Sequence, residues 1–272
     1  MTILIGGTNA FRLRGGAVYP EDYNAIADGF SASDGAMSAS GTTLTCATSA
    51  PFKASHVGKN IIVLWAGNSA GTTHLITTIS GYTDTSHVTL ASPCLKTGGV
   101  SSAYIFASSD STSAIINARA AAVTANAPLI FQAGMYGCWG ALQSLTDRQC
   151  QIPLTYPTYT YPGSGTLPGE EWIGTGESTA TPLGIPSGGT TIVSVLPSGT
   201  SLAHSSTIGD PAFISGPSFE YQNAHFSGIG IFQAASFKAH GIAFVTPPAA
   251  HNAVDVEMIG HAAIESCQGT TL

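Results

Sequence analysis

The residues best suited to acid–base chemistry are carboxylates in two separate segments. Asp255 and Glu257 lie two positions apart in an apolar segment, so in a strand both side chains share one face. Such a pair could flank a glycosidic bond or bind Ca²⁺. The same spacing is typical of an ordinary polar outer face that alternates with inward apolar residues, and we favour that simpler interpretation.

A second group of carboxylates surrounds a Gly-rich bend and comprises Glu170, Glu171 and Glu177. Glycoside hydrolysis requires two carboxylates that flank the scissile bond. Adjacent side chains of an extended segment point to opposite faces, so Glu170 and Glu171 would not converge on one substrate. We favour solvated turn residues here, and the sequence gives no firm catalytic assignment.

Three tyrosines could contact a glycan: Tyr156, Tyr159 and Tyr161. Flat aromatic faces suit the CH groups of pyranose rings, and an aromatic hydroxyl adds a polar group. The repeated prolines of residues 151–168 predict a loop and not a central strand. The alternative, which we favour, is that the tyrosines pack on a neighbouring subunit or on the flank of the helix.

No cofactor or metal site is predicted. The eight histidines show no HxH pattern, and glycine-rich nucleotide loops and nucleophile-elbow motifs are missing from the sequence. The five cysteines are odd in number and form no CxxC pair, so we expect buried free thiols that pack as small apolar groups. A bridge between Cys138 and Cys150 is the open alternative.

Charge is scarce and its sign limits the partners. Charged residues make up 8% of the chain, against about 25% in ordinary soluble domains, and the net charge is −7. After Arg148 the sequence contains only one further cation, Lys238. Nucleic acid and anionic membrane surfaces both need clustered cations, so we exclude them as partners. An acidic polysaccharide is disfavoured for the same reason, whereas neutral sugars are compatible with this composition.

The chain divides into three predicted parts. Residues 1–33 form an arm that orders on a partner, and residues 34–108 form a small all-β module with strands separated by Gly-rich turns. The third part, 109–272, begins with a helix over 110–126 that Asp110 or Ser111 can cap. The candidate attachment residues of the arm are Ile3, Leu4, Ile5, Phe11, Arg12 and Arg14.

Short apolar strands follow the helix at intervals of the length of a solenoid rung. The segments Pro128–Tyr136 and Trp172–Leu183, together with the helix, resemble the entry to a right-handed parallel β-helix of the pectate-lyase-like superfamily, as found in phage tailspikes and tail fibres. The strand pattern from Gly41 to Leu90 resembles a module seen ahead of such β-helices in phage tail proteins. The expected fold is therefore mainly β, with a small N-terminal β module, one short capping helix and a right-handed parallel β-helix.

The resemblance also implies a function and a setting. It implies a structural component of a phage tail, which attaches to the virion by its N-terminus and supports recognition of the host surface. The implied partners are two further copies in a homotrimer, tail, baseplate or portal-region proteins at the arm, and a host glycan. The protein would assemble in the host cytoplasm and become extracellular on the released particle, with no membrane insertion. The alternatives are a polysaccharide depolymerase, either a lyase or a hydrolase, and a cellular β-solenoid adhesin.

Overall fold

The computed structural model describes residues 16–125, 127–140, 171–176 and 189–195 of the 272-residue chain. Beyond these ranges it describes short strands within residues 143–265, mostly as backbone alone. The described part contains a closed antiparallel barrel, one α-helix and several small sheets.

Six antiparallel strands close into a barrel in the order β1-β2-β5-β4-β3-β6, because β1 also pairs with β6. Irregularities between Ala32 and Gly35 and between Gly35 and Met37 interrupt the β1–β6 register. Such bulges bend a strand and help a sheet to curve into a barrel. The strands are Phe30–Met37 (β1), Thr43–Cys46 (β2), Asn60–Val63 (β3), Leu75–Asp84 (β4), His87–Leu90 (β5) and Val100–Ser108 (β6).

Strand β3 and the second half of β6, from Ile105, are buried on both faces. Ile61 and Ile105 belong to the core inside the barrel, whereas their neighbours Ile62 and Phe106 belong to a second cluster on its outer wall. Because successive side chains of a strand point to opposite faces, a strand buried on both sides must be apolar at every position. This explains the uninterrupted apolar run that begins at Ile61.

One α-helix, α1 (Thr112–Ala125), lies where the sequence predicts a helix. The Asp110 carboxylate accepts the Thr112 N–H at 2.9 Å, and the Ser111 hydroxyl instead accepts the Ile26 N–H at 3.0 Å. Within the described part of the chain, no helix is both long and apolar enough to cross a membrane.

Short strands after α1 form three parallel sheets and two antiparallel pairs. The parallel sheets have the orders β7-β12-β17, β8-β15-β18-β20 and β11-β16-β19, and the antiparallel pairs are β9–β10 and β13–β14. The parallel strands are Leu129–Ile130 (β7), Gly134–Cys138 (β8), Ile152–Pro153 (β11), Glu171–Ile173 (β12), Thr190–Ser194 (β15), Ile214–Ser215 (β16), His225–Ser227 (β17), Ile229–Gln233 (β18), Ile242–Ala243 (β19) and Ile264–Glu265 (β20). The antiparallel strands are Gln143–Leu145 (β9), Arg148–Cys150 (β10), Thr179–Ala180 (β13) and Pro186–Ser187 (β14).

Two apolar clusters tie these elements together. The first packs the buried face of α1 against the parallel strands, and its largest buried members are Phe131, Tyr136 and Trp172. The second joins the outer wall of the barrel, through Phe106, to Val193 on the other face of the four-stranded parallel sheet. The outer wall of the barrel therefore packs against one face of the four-stranded parallel sheet.

The predicted fold class is wrong. The structure is mainly β, but its described part shows a closed six-stranded antiparallel barrel and one helix and not a right-handed parallel β-helix. Parallel pairing does occur, in strands of only two to five residues. Regular spacing of short apolar segments reports β-propensity, which does not specify how the strands connect or with which hand.

Residues 16–29 pack on the other elements. Val18 pairs with Leu129 in an isolated parallel bridge, Pro20–Tyr23 forms a 3-10 turn, and Ala25 belongs to the cluster beneath α1. Strand β1 begins at Phe30, inside the range assigned to the predicted arm. The boundaries 1–33, 34–108 and 109–272 stay predictions.

Candidate functional site

Three loops meet at one end of the barrel and form a surface that we call the rim: residues 38–42, 64–74 and 91–99. The first and third are joined by Ser40 N–H to Cys94 O at 2.8 Å and by Cys94 N–H to Gly41 O at 2.9 Å. The second is joined to the third by Leu95 N–H to Ala66 O at 2.9 Å. These bonds connect loops distant in sequence, so the rim is a continuous surface built from backbone contacts.

Trp65 is the most unusual residue of the rim. It follows the end of β3, its side chain is 41% exposed, and its φ of 65° lies in the left-handed region. That region costs a residue with a Cβ about 1–2 kcal/mol, and bulky residues rarely adopt it. A large apolar side chain therefore faces solvent at a position where the backbone favours glycine or asparagine.

His74 contacts Trp65 through one hydrogen bond and one ring–ring contact. The backbone N–H of Trp65 donates to His74 Nδ1 at 3.1 Å, and the two rings meet edge to face with centroids 4.7 Å apart. Burial lowers the pKa of His74, because the charged ring would lose its hydration. A neutral ring with an unprotonated Nδ1 is the form that accepts this hydrogen bond.

The surroundings of Trp65 are polar and carry little charge. The Asn68 side chain accepts the Thr72 N–H at 2.8 Å and donates to the Thr72 hydroxyl at 2.7 Å, which orders the 64–74 loop. Leu95 is 55% exposed, and the stem of Lys96 lies against Gly71. The rim thus carries a partly exposed aromatic ring, an exposed aliphatic side chain and polar loop residues.

The other end of the barrel, which we call the junction, carries a compact polar network. Asp28 forms an ion pair with Lys59, and Ser109 donates to Asp28 from its N–H at 2.9 Å and from its hydroxyl at 2.8 Å. Gly29 N–H donates to Met135 O at 2.9 Å, which joins the chain before β1 to β8. Here side chains from three segments connect the barrel to the helix and the parallel sheet.

The ionisation of the junction is set by these partners. Burial raises the pKa of Asp28, but the hydrogen bonds from Lys59 and Ser109 outweigh it, so the pKa lies below its ordinary value. Nearby, the Glu21 carboxylate accepts the Gln132 N–H at 3.2 Å and the hydroxyl of Tyr136. Burial and the Glu21 charge together raise the pKa of Tyr136, so this phenol stays protonated.

Most of the predicted site residues lie outside the described part of the chain. This holds for the catalytic candidates Glu170, Glu177, Asp255 and Glu257, for the tyrosines 156, 159 and 161, and for the attachment residues 3–14. Glu171 is described: it begins β12, is partly buried, and its backbone pairs with His225. The structure therefore brings no pair of these candidates together within its described residues.

The cysteine prediction is confirmed for three residues. Cys46, Cys94 and Cys138 are buried thiols outside any disulfide. Burial, with the nearby Asp34 charge, raises the pKa of Cys46 to about 12, so this thiol is not a nucleophile at neutral pH. Across the described ranges, no three His, Cys, Asp or Glu side chains are close enough to share a metal ion.

Sequence reasoning missed the rim. Trp65 looks like the end of the buried run that begins at Asn60, yet β3 ends at Val63 and the chain turns before Trp65. The signal for this turn is the Gly67–Gly71 segment, rich in Gly, Asn and Ser, directly after the run. Exposure of Trp65 follows from the turn and not from residue type.

Comparison with known proteins does not assign the chain to a family. No family model matches the sequence, and neither a curated protein nor a solved structure is significantly similar to it.

Proposed function

We propose that the chain is a structural component of a bacteriophage tail, of the tail fibre or tailspike kind, which supports recognition of the host surface. The observation that carries this proposal is the segment whose strand pattern resembles a phage tail module. This segment supplies strands β2 to β5 of a closed barrel whose outer wall packs on a parallel sheet. A barrel has no open sheet edge, which suits a component that must resist association with other chains outside the cell.

The composition supports the same proposal. A chain with 8% charged residues has a surface covered largely by Ser, Thr, Asn and Gly, or a surface buried in an assembly. We propose a homotrimer bound to tail, baseplate or portal-region proteins through residues 1–15, since residues 16–29 already pack on the helix and the sheet. None of the described contacts favours a glycan-cleaving activity over this structural function.

The location of the protein can be tested directly. We would raise antibodies against the purified chain and label particles released on lysis of the cells that carry its gene, for immunogold electron microscopy. We expect gold at the tails of the particles, with pre-immune serum as the control. Labelling of cell debris or membranes without particles would overturn the proposal.

The assembly can be tested by sedimentation equilibrium. We expect a mass of about three times the 27.6 kDa of one chain. A chain that stays monomeric up to high concentration would remove the trimer from the proposal. Immunogold at tails would still support a tail component in that case.

A further inference from the structure

We propose that the rim of the barrel is a glycan-binding site, in which Trp65 stacks on a pyranose ring of a neutral surface glycan. The inference rests on the proposed function only for the origin of the glycan, the host surface. The site itself is argued from Trp65, His74 and the loops around them.

The fold does not require a tryptophan at position 65. The left-handed backbone favours glycine or asparagine, and the ring contact with His74 does no more than offset the conformational cost. Unfavourable backbone conformations that persist in folded proteins cluster at binding sites and active sites. An exposed aromatic ring in such a conformation is best explained by a ligand that contacts it.

The indole ring of Trp65 is also held in one orientation before any ligand binds. The hydrogen bond from the Trp65 N–H to His74 and the edge-to-face ring contact fix both the backbone and the indole. His74 is 6% exposed, so the support under the indole is a buried part of the barrel. A preorganised aromatic platform loses little conformational entropy when a ligand binds.

The chemistry of the surroundings selects the class of ligand. A pyranose ring presents one apolar CH face and a rim of hydroxyls, and the protein offers an aromatic ring on a loop that also carries the polar residues Asn68 and Thr72. Lys96 is the one cation among the rim residues, too few for nucleic acid or for a polyanionic sugar chain. A neutral glycan fits both the shape and the charge.

The size of the apolar surface argues against a protein partner. Trp65 and Leu95 are the two large exposed apolar residues of the rim, and both are only partly exposed. Together they offer on the order of 200 Å², since a whole aromatic side chain buries about 150–250 Å². A stable protein interface buries about 800 Å² on each partner, whereas a single sugar ring needs much less.

The test compares three substitutions at two exposed aromatic residues. Trp65→Asn removes the ring and keeps a residue that tolerates the left-handed backbone, and Trp65→Phe keeps a smaller aromatic face. Tyr82→Asn is the matched control, because Tyr82 is 37% exposed on β4, far along the strand from the rim. Circular dichroism and the thermal midpoint establish that each variant folds.

The probes are immobilised neutral oligosaccharides of glucose, galactose, mannose, rhamnose and N-acetylglucosamine, with oligogalacturonate as the acidic comparison. We expect the native protein to bind at least one neutral glycan and to prefer it to oligogalacturonate. Trp65→Asn should weaken this binding at least about tenfold, Trp65→Phe by less, and Tyr82→Asn not at all. Saturation-transfer NMR on the soluble form of the bound glycan should show the strongest transfer at its CH protons.

Three results would overturn the inference. They are no binding to any neutral glycan, binding that Trp65→Asn leaves unchanged, and loss of self-association in Trp65→Asn, which would make the rim an interface between copies. The outcome is independent of the location test. Glycan binding without immunogold label at tails would rule out the proposed function and support the binding site. Immunogold label at tails without glycan binding would support the proposed function and rule out the binding site.

Discussion

The two ends of the barrel hold their side chains in opposite ways. At the junction, Asp28, Lys59 and Ser109 satisfy one another and join three segments. At the rim, backbone hydrogen bonds join the loops, and the largest side chain, Trp65, faces solvent. The difference leads us to expect that changes at the junction cost stability, whereas changes at the rim cost the proposed glycan binding.

The largest expected loss of stability comes from a substitution in the outer wall of the barrel, next to the junction. Phe106 is fully buried against the parallel sheet and stacks on Trp139, with ring centroids 5.7 Å apart. Phe106→Ala leaves a cavity between barrel and sheet, so we expect a loss of about 3–5 kcal/mol in the free energy of unfolding. Urea denaturation measures this loss.

The matched change at the rim is Leu95→Ala. Leu95 is 55% exposed, so its truncation should alter the free energy of unfolding by no more than about 0.5 kcal/mol. Similar losses for Phe106→Ala and Leu95→Ala would contradict the distinction between the two ends.

The ion pair at the junction should have the next largest effect. Asp28→Asn leaves the largely buried Lys59 ammonium without its anionic partner, so we expect a loss of about 1–2 kcal/mol after allowance for partial solvent exposure. Asp84→Asn is the control, because the Asp84–His87 pair is exposed, and its thermal midpoint should match that of the native protein. Equal midpoints for the two variants would show that the junction network does not hold the barrel to the helix.

The sequence predicts the strands of the barrel better than its closure. The strand pattern predicted from Gly41 to Leu90 coincides with the observed β2 to β5, because alternating β-branched residues and Gly-rich turns are local signals. Closure depends on the pairing of Phe30 with Ala107, which are distant in sequence, and the residues of β1 up to position 33 were assigned to the arm. Local patterns carry no information about such a pairing.

The parallel sheets show the same limit of prediction from local sequence patterns. β7, β12 and β17 have two or three residues each, too few to display a period, and their register is set by neighbours far along the chain. Trp65 was missed for a related reason: a strand buried on both faces leaves no alternation to mark where burial ends. The candidate site could be found only after the turn at the end of β3 was known.

Acid should act first on the buried histidines at both ends of the barrel, and on Asp28 of the junction only at lower pH. His74 at the rim and His56 at the junction are buried and have lowered pKa values, so below their ordinary 6.5 the unfolded chain binds more protons than the folded one. Stability should therefore fall as the pH drops from 6.5. Asp28 has a lowered carboxyl pKa, so its contribution is present above its ordinary 3.8 and is lost only as the pH falls below that value.

The substitution His74→Asn separates the contribution of His74 to the pH dependence of stability from that of His56. The asparagine side-chain oxygen can replace Nδ1 as acceptor for the Trp65 N–H but cannot be protonated in this range. Thermal midpoints between pH 7 and 5 should then fall less steeply than in the native protein, with the remaining slope removed by His56→Asn. A slope that His74→Asn leaves unchanged would show that His74 is not the titrating group.

Trp65→Asn, the substitution that should most affect glycan binding, should have only a small effect on stability. Asparagine relieves the left-handed backbone by up to about 1 kcal/mol, and the loss of the ring contact with His74 offsets a similar amount. We expect the free energy of unfolding to change by less than about 1 kcal/mol in urea denaturation. Ser40→Asn is the control, since Ser40 is exposed on the rim at a φ of 57° and loses no aromatic contact, so it should be neutral or slightly stabilising. If Trp65→Asn instead costs as much as Phe106→Ala, the indole supports the fold as a packed residue, and the two ends of the barrel are alike.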